Sequence, residues 1–249
     1  MQDVAVIIPA KDEADRISAT VKAAHELPGA DLVVVVDDGS SDGTGRVARD
    51  AGARVVRHSR NRGKGAAMES GAEAVRLLDE GRDQPRHLLF LDADLADTAR
   101  EAAPLVAPVR AGEADMTIAV FTTTVKLGGH GFVVKLSRDG IRRATGWEAT
   151  APLNGQRCLT RAAFDAALPL AAGFGVETAL TIDLLRQGFR VTEVEVPLAH
   201  RATGTDWRSQ LHRARQFRDV ARALSVREPA VTPLVQAATR RLDGLRGRR

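Results

Sequence analysis

Short apolar runs of strand length alternate with longer amphipathic stretches through the first half of this 249-residue chain, and several runs end in charged clusters. The runs are DVAVIIPA (3–10), DLVVVVDD (31–38), ARVVRH (53–58), HLLFLDAD (87–94) and DMTIAVF (115–121). Between them, residues 13–26, 42–51, 65–80 and 98–110 carry helical periodicity. Strands separated by helices pair in parallel through right-handed crossovers, which cover both faces of the sheet. The pattern predicts a three-layer α/β/α fold around a mostly parallel central sheet, Rossmann-like in outline. The unbroken VVVV at 33–36 fits a strand buried on both faces.

The charged clusters fall where such a sheet binds ligands. Lys11, Asp12 and Glu13 follow the first run, Asp37 and Asp38 end the second, and Asp92 and Asp94 end the fourth. Open α/β sheets take ligands at the carboxyl ends of their strands, so clusters on one edge predict one site. Carboxylates at i and i+2 of an extended segment project to the same side while Ala93 points away. A hard divalent cation accepts such oxygens and completes its shell with water and phosphate. Asp97 reads differently, as a first-turn acid at the positive end of the next helix.

SRNRGKGAAMESG (59–71) sets Lys64 between two glycines ahead of a helix, offering an anion an ammonium, exposed amides and a helix N-terminus together. It is not a Walker loop, lacking the glycine four residues before the Gly-Lys pair and the Ser or Thr after it. DDGSSDGTG (37–45) reads as a turn capped by Ser41 or Asp42. Two adjacent like charges exceed what a turn needs, which marks Asp38 as an acceptor for a nucleobase N–H.

The second half is less regular. TTTVKLGGHG (122–131) reads as a mobile loop, FVVKLSRDGIRRATG (132–146) as an amphipathic helix, about 175–187 as a helix stopped by Gly188, and 190–196 as a strand closed by Pro197. Without a repeat or composition break, residues 1–225 are expected to form one domain, with 226–249 a basic helix or tail. A chain with no apolar run of about 18 residues and no secretory pattern at its start is expected to be cytoplasmic. The single cysteine, Cys158, excludes an internal disulfide and reads as a small buried hydrophobe. The net charge of +4 is concentrated late, from Arg208 through Arg213, Arg215, Arg218, Arg222 and Arg227 to the end, which suits phosphates or an anionic membrane surface. Aromatic content of 4% with no tyrosine leaves few stacking platforms and argues against nucleic acid.

VIIPAKDEADRI, VVVVDDGSSDGT, NRGKGAAMESG and LLFLDADL, in this order and spacing, resemble the nucleotide-sugar-binding half of family 2 glycosyltransferases with the GT-A fold. The resemblance implies a donor half over 1–120 and an acceptor-side half over 121–225. It implies that Pro9, Ala10 and Glu13 line the nucleoside pocket, Asp38 contacts the base, and Lys64 lies near the diphosphate. Asp92, Ala93 and Asp94 would be the family's Asp-x-Asp, the first aspartate toward the ribose and the second on the metal. GFGVETALTIDLL and VPLAHR are similar to stretches of glucosyl-3-phosphoglycerate synthases, which implies Glu177 at the sugar and acceptor side and His200 in the metal shell. NGQRCLTRAAF and VEVPLAHRATGTDW also resemble dolichyl- or polyprenyl-phosphate sugar synthases.

What the resemblance implies is a metal-dependent transfer from a UDP- or GDP-sugar to a small phosphorylated or polyprenyl-phosphate acceptor. Mg2+ or Mn2+ would be held by Asp94 and His200 beside Asp92, with Asp94, Glu177 and Lys64 carrying the chemistry. Arg201 could hold an acceptor phosphate, and the loops at 122–131 and 201–206 could close over the donor. A lipid acceptor would bring the protein to the inner face of the membrane, and a homodimer is compatible with all of this. The chain has no Gln-x-x-Arg-Trp, which argues against a processive synthase. A nucleotidyltransferase of similar fold would carry a Gly-rich, Arg-containing first loop, and a Rossmann oxidoreductase would carry Gly-x-Gly-x-x-Gly after the first strand; PAKDEADR is neither. A module that binds nucleotide-sugar without turning it over is the remaining alternative.

Overall fold

The computed structural model describes residues 3–122, 131–198 and 207–227, with the side chains of 207–215 left aside. His200, Arg201, the loop at 201–206, nearly all of the loop at 122–131 and the tail beyond 227 lie outside the described residues. Seven strands form one sheet: β1 (Val4–Ala10), β2 (Ala30–Asp37), β3 (Arg54–Arg57), β4 (His87–Phe90), β5 (Met116–Phe121), β6 (Arg157–Leu159) and β7 (Val191–Val196). Their spatial order is β3-β2-β1-β4-β6-β5-β7, and every pairing is parallel except those of β6, which runs against both β4 and β5. This is the expected three-layer α/β/α arrangement with one reversed strand.

Both faces of the sheet are covered, as the VVVV run requires. Val33 and Val35 join a core with Ile17 and Val21 of α1 (Ile17–His25), while Val34 and Val36 join the opposite core with Ala67, Met68 and Val75 of α3 (Lys64–Leu78). Alternate residues of a strand point to opposite faces, so a strand buried on both sides has no polar register to spare. α3 lies close on the sheet because residue 71 is glycine; a methyl there would overlap Ile7 Cγ2 and stand 3.1 Å from Val36 Cγ2. A third cluster joins α5 (Gly131–Thr145), α7 (Val176–Arg186) and α8 (Trp207–Arg227) through Val133, Ile141, Ile182, Val220 and Leu224.

Three local expectations change. α1 begins at Ile17 rather than near 13; residues 14–16 form a turn before it, and the amides of Glu13 and Ala14 donate to Thr44 Oγ1 (2.9 Å) and Asp42 Oδ2 (3.0 Å) of the neighbouring loop. The helix expected over 98–110 is a 3-10 helix over Ala96–Leu105 that becomes the short α4 (Val106–Arg110). Pro104 and Pro108 each remove a backbone donor there, which weakens a regular α-helical ladder. α2 (Thr44–Asp50) is preceded by Gly43, with φ of 89°, rather than by Ser41 or Asp42; Asp42 still caps the turn, its Oδ1 accepting from the Thr44 amide at 3.0 Å. The structure also adds β6 and α6 (Arg161–Ala166), in a stretch whose period is too short to read.

Candidate active site

The carboxyl ends of β1, β2 and β4 open onto a cleft of about 360 Å3 bordered by Pro9, Ala10, Asp38, Lys64 and Asp92, and closed on one side by Phe174. Loop-to-loop hydrogen bonds shape its rim. Asp12 sits at φ of 54°, a conformation ordinary side chains avoid but Asp tolerates. From there its Oδ1 accepts from the Ser41 amide (2.8 Å) and its own amide donates to Ser40 Oγ (3.0 Å), while Lys11 Nζ donates to the Gly39 carbonyl (3.2 Å). The Ser41 amide and the Lys11 ammonium together hold the Asp12 carboxyl below the usual carboxylate range. Asp37 turns inward, accepting from the Ser40 amide at 2.8 Å.

Asp38 is buried and already engaged. Its Oδ1 accepts from His58 Nδ1 and from the Arg62 amide, both at 2.7 Å, and its Oδ2 accepts from the Gly63 amide at 2.8 Å. A carboxylate only accepts, so Nδ1 of His58 carries the proton; Nε2 meets Ser70 Oγ at 2.9 Å. The amides of the glycine-lysine loop, expected to face an anion, are therefore partly taken: those of Arg62 and Gly63 serve Asp38. The loop still presents an anion with the Lys64 ammonium and the start of α3, which Gly63 enters at φ of 91°.

Lys64 Nζ lies between two acids, 2.8 Å from Asp92 Oδ1 and 3.0 Å from Glu177 Oε1. Burial alone would disfavour the ammonium, but the two carboxylates outweigh it and raise the Lys64 pKa above its ordinary value. Glu177 stands in the first turn of α7 and is only 7% exposed, so it is not a surface acid compensating a helix dipole. Gly155 roofs the pair: a methyl there would overlap Lys64 Nζ and come within 3.1 Å of Asp92 Oδ1.

The segment after β4 is fastened from behind. Thr20 Oγ1 donates to the Ala93 carbonyl and accepts from the Ala96 amide, each at 2.8 Å, and Arg16 donates to the Asp94 carbonyl at 3.3 Å. Ala93 is buried in the core, and of the two flanking aspartates Asp92 borders the cleft, whereas Asp94 follows it in a turn and is fixed through its backbone carbonyl. Asp97 is 81% exposed in the first turn of the 3-10 helix, with Arg100 at 3.8 Å. No group of three or more His, Cys, Asp or Glu side chains suited to a metal occurs among the described residues.

A model of glycosyl transferase family 2 matches residues 5–164, which contain the cleft from β1 to the roof at Gly155. The chain belongs to glycosyltransferase family 2. Among its relatives in the family, glycosyltransferase AglJ of Haloferax volcanii is 32% identical over 82% of this chain, and glucosyl-3-phosphoglycerate synthase of Mycolicibacterium paratuberculosis is 28% identical over 72%. The chain spans 65% and 59% of their respective lengths. Glucosyl-3-phosphoglycerate synthase from Mycobacterium tuberculosis, solved with Mg2+ and uridine diphosphate, has the same GT-A architecture, with a TM-score of 0.73, 25% identity and coverage of 91% of this chain and 79% of that one. A second structure of that enzyme, holding Mn2+, uridine diphosphate and phosphoglyceric acid, gives a TM-score of 0.72 at 25% identity, covering 91% and 78%.

Within this family 2 chain, Pro9, Ala10, Asp38, Lys64 and Asp92 come together in one cleft, and Glu177 joins them through Lys64. Glu13 and Ala93 are held through their backbones beside that cleft. His58, Gly155 and Phe174 went unread in the sequence. His58 ends the run ARVVRH, and a histidine one residue past a strand on the binding edge was a signal of the kind already used for Asp38. Cys158 is buried, and burial pushes its thiol up to about 12, which keeps it protonated and inert as expected.

Proposed function

We propose that the chain transfers a sugar from a UDP- or GDP-sugar to a small phosphorylated or polyprenyl-phosphate acceptor, with Mg2+ or Mn2+ as cofactor. The observation that carries this reading is the Asp92–Lys64–Glu177 ion-pair chain, whose Asp92 and Lys64 line one cleft with Pro9, Ala10 and Asp38. Relatives solved with uridine diphosphate, Mn2+ and phosphoglyceric acid support it.

In this reading the nucleoside lies against Pro9 and Ala10, and Asp38 stands by for a base N–H, its geometry fixed by His58 and two backbone amides. Lys64 gives positive charge to the diphosphate, where negative charge builds as the glycosidic bond breaks. Its two carboxylates keep it protonated and preset its direction. Glu177, on the far side of Lys64, accepts a hydrogen bond from a hydroxyl of the sugar or of the acceptor. A hard cation would be held by Asp94 and His200 beside Asp92, whose Oδ1 is already paired with Lys64. When bound, that ion would neutralise charge on the leaving diphosphate. The lipid form of the acceptor would place the protein at a membrane surface; no helix among the described residues is long and apolar enough to cross one.

The test is a panel of UDP-, GDP- and dTDP-sugars with Mn2+ or Mg2+, following nucleotide release with and without phosphoglyceric acid or a polyprenyl phosphate. Metal-dependent release stimulated by an acceptor is expected. Tight nucleotide binding with no release under any condition would leave the module that binds without transferring, and release of pyrophosphate from a nucleoside triphosphate would mean a nucleotidyltransferase. Asp94→Ala should abolish the metal-dependent part of UDP affinity.

A further inference from the structure

Arg157 at the start of β6 is fully buried, and every hydrogen bond its guanidinium makes goes to a neutral group. Nε donates to the Asn154 carbonyl (2.8 Å), Nη2 to the Pro152 carbonyl (3.3 Å) and Nη1 to Thr181 Oγ1 (2.9 Å), with Met116 Sδ at 3.9 Å. Burial pushes its pKa down to about 10, against the pull of Glu177 and Glu193. A cation out of water without a paired carboxylate is costly, and an apolar side chain of similar volume often serves stability as well or better. Packing alone is therefore a poor account of an arginine here.

Its three oxygen partners lie on two pieces of the candidate active site. Pro152 and Asn154 belong to the segment that ends in Gly155, the roof over Lys64 and Asp92. Thr181 donates its own hydroxyl to the Glu177 carbonyl at 2.9 Å, so the chain of contacts runs from Arg157 through Thr181 to the residue that carries Glu177. The same segment is gripped at its other end by Glu193 of β7, whose carboxylate accepts from the amides of Thr150 (2.8 Å) and Ala151 (2.7 Å), and Asn154 Nδ2 is tied to the Ala119 carbonyl at 2.8 Å. Charge follows the same logic. Asp92, Lys64 and Glu177 sum to one negative charge, and Arg157 is the buried positive charge behind them.

We propose that Arg157 is a positioning residue for sugar transfer: without touching substrate, it locks the Gly155 roof to helix α7 and so sets the distance from Glu177 to the Lys64–Asp92 pair. For its kinetic consequence this rests on the transferase reading above; for its mechanical content it does not.

The full chain carrying Arg157→Met tests it by turnover, by UDP affinity in Mn2+ and by amide hydrogen exchange. Turnover should fall at least tenfold while UDP affinity changes less than threefold, and exchange should quicken in 150–156 and 177–182 together but not in β1 or β2. Arg157→Lys, which keeps the charge but not the fork, should recover part of the turnover and less of the protection. Unchanged turnover, UDP affinity falling in step with turnover, or exchange rising throughout the sheet would each overturn the proposal. Should Arg157→Met not fold, Thr181→Val removes one bond to the same guanidinium. Faster exchange at 150–156, on the far side of the guanidinium from the mutation, then supports the lock, and no change there sinks it. If wild type turns over no donor at all, the exchange measurement still decides whether the two segments are locked together.

Discussion

The two halves of the site are built by different means. On the side proposed to take the nucleotide, from β1 to β4, the cleft residues lie at strand ends or, for Lys64, at the start of α3, and the loops are fastened by hydrogen bonds between their own short polar residues: Asp12 with Ser40 and Ser41, Thr44 with Glu13, Asp38 with the backbone before α3. On the other side, Gly155 and Glu177 come from a segment before a reversed strand and from the first turn of a helix, and they are fixed from beneath by the buried Arg157 and Thr181. Loop contacts between short polar side chains tune how a ligand is received, whereas a segment and a helix held by buried charge set where reacting groups stand. Substitutions in the first half should therefore appear in nucleotide affinity, and those in the second half in turnover.

The sharpest attempt to break this division is Glu177→Gln. Turnover should fall by about 100-fold or more, the scale of a lost charged group in contact with reacting atoms, while UDP affinity in Mn2+ stays nearly constant. A parallel loss of affinity in calorimetric titration would erase the distinction. His58→Ala should do the reverse, because Asp38 keeps its buried carboxylate but loses one of its donors. A buried group left short by one hydrogen bond costs roughly 1–3 kcal/mol, so nucleotide affinity should weaken about tenfold with little change in turnover at saturating donor.

A smaller effect separates charge from shape on the rim. Asp12→Asn keeps a residue that tolerates positive φ and loses the carboxylate, so UDP affinity should drop by only about two- to fivefold. Because the folded-state pKa of Asp12 is depressed, its contribution is present above the unfolded value and lost as pH falls through the folded one. The difference in melting temperature between wild type and Asp12→Asn should accordingly be seen at neutral pH and close as the pH drops below about 4. Smallest of all, Asp97→Ala should leave UDP affinity within about twofold of wild type, since its side chain is exposed and away from the cleft. An effect as large as that of Asp94→Ala would mean that the third carboxylate of LDADLAD belongs to the metal site.

The contrast also explains how much could be read in advance. Asp38 and Asp92 were legible because parallel strands announce themselves by apolar runs whose ends lie at the binding edge by construction, and Lys64 because two glycines flank it ahead of a helix. Glu177 came from resemblance rather than periodicity. β6 was missed because three residues cannot display an alternation, and one of them, Arg157, breaks the apolar pattern that marks a buried strand. The occupancy of the Arg62 and Gly63 amides was missed because it depends on Asp38 reaching across 24 and 25 residues, which no local pattern records.

The reversal of β6 carries one more consequence, for where this fold can be rebuilt. In the parallel strands, a lengthened loop after the strand enlarges the site and one before it only thickens the opposite rim. For β6 the address is inverted: the segment upstream of the strand brings Gly155 over Lys64 and Asp92 at the cleft, and Thr160, just downstream, bonds back to the Asp115 carbonyl ahead of β5 on the far edge. Extra residues spliced in around 152 would therefore reshape what the cleft admits, whereas the same insertion after Leu159 would be met by the opposite end of the sheet.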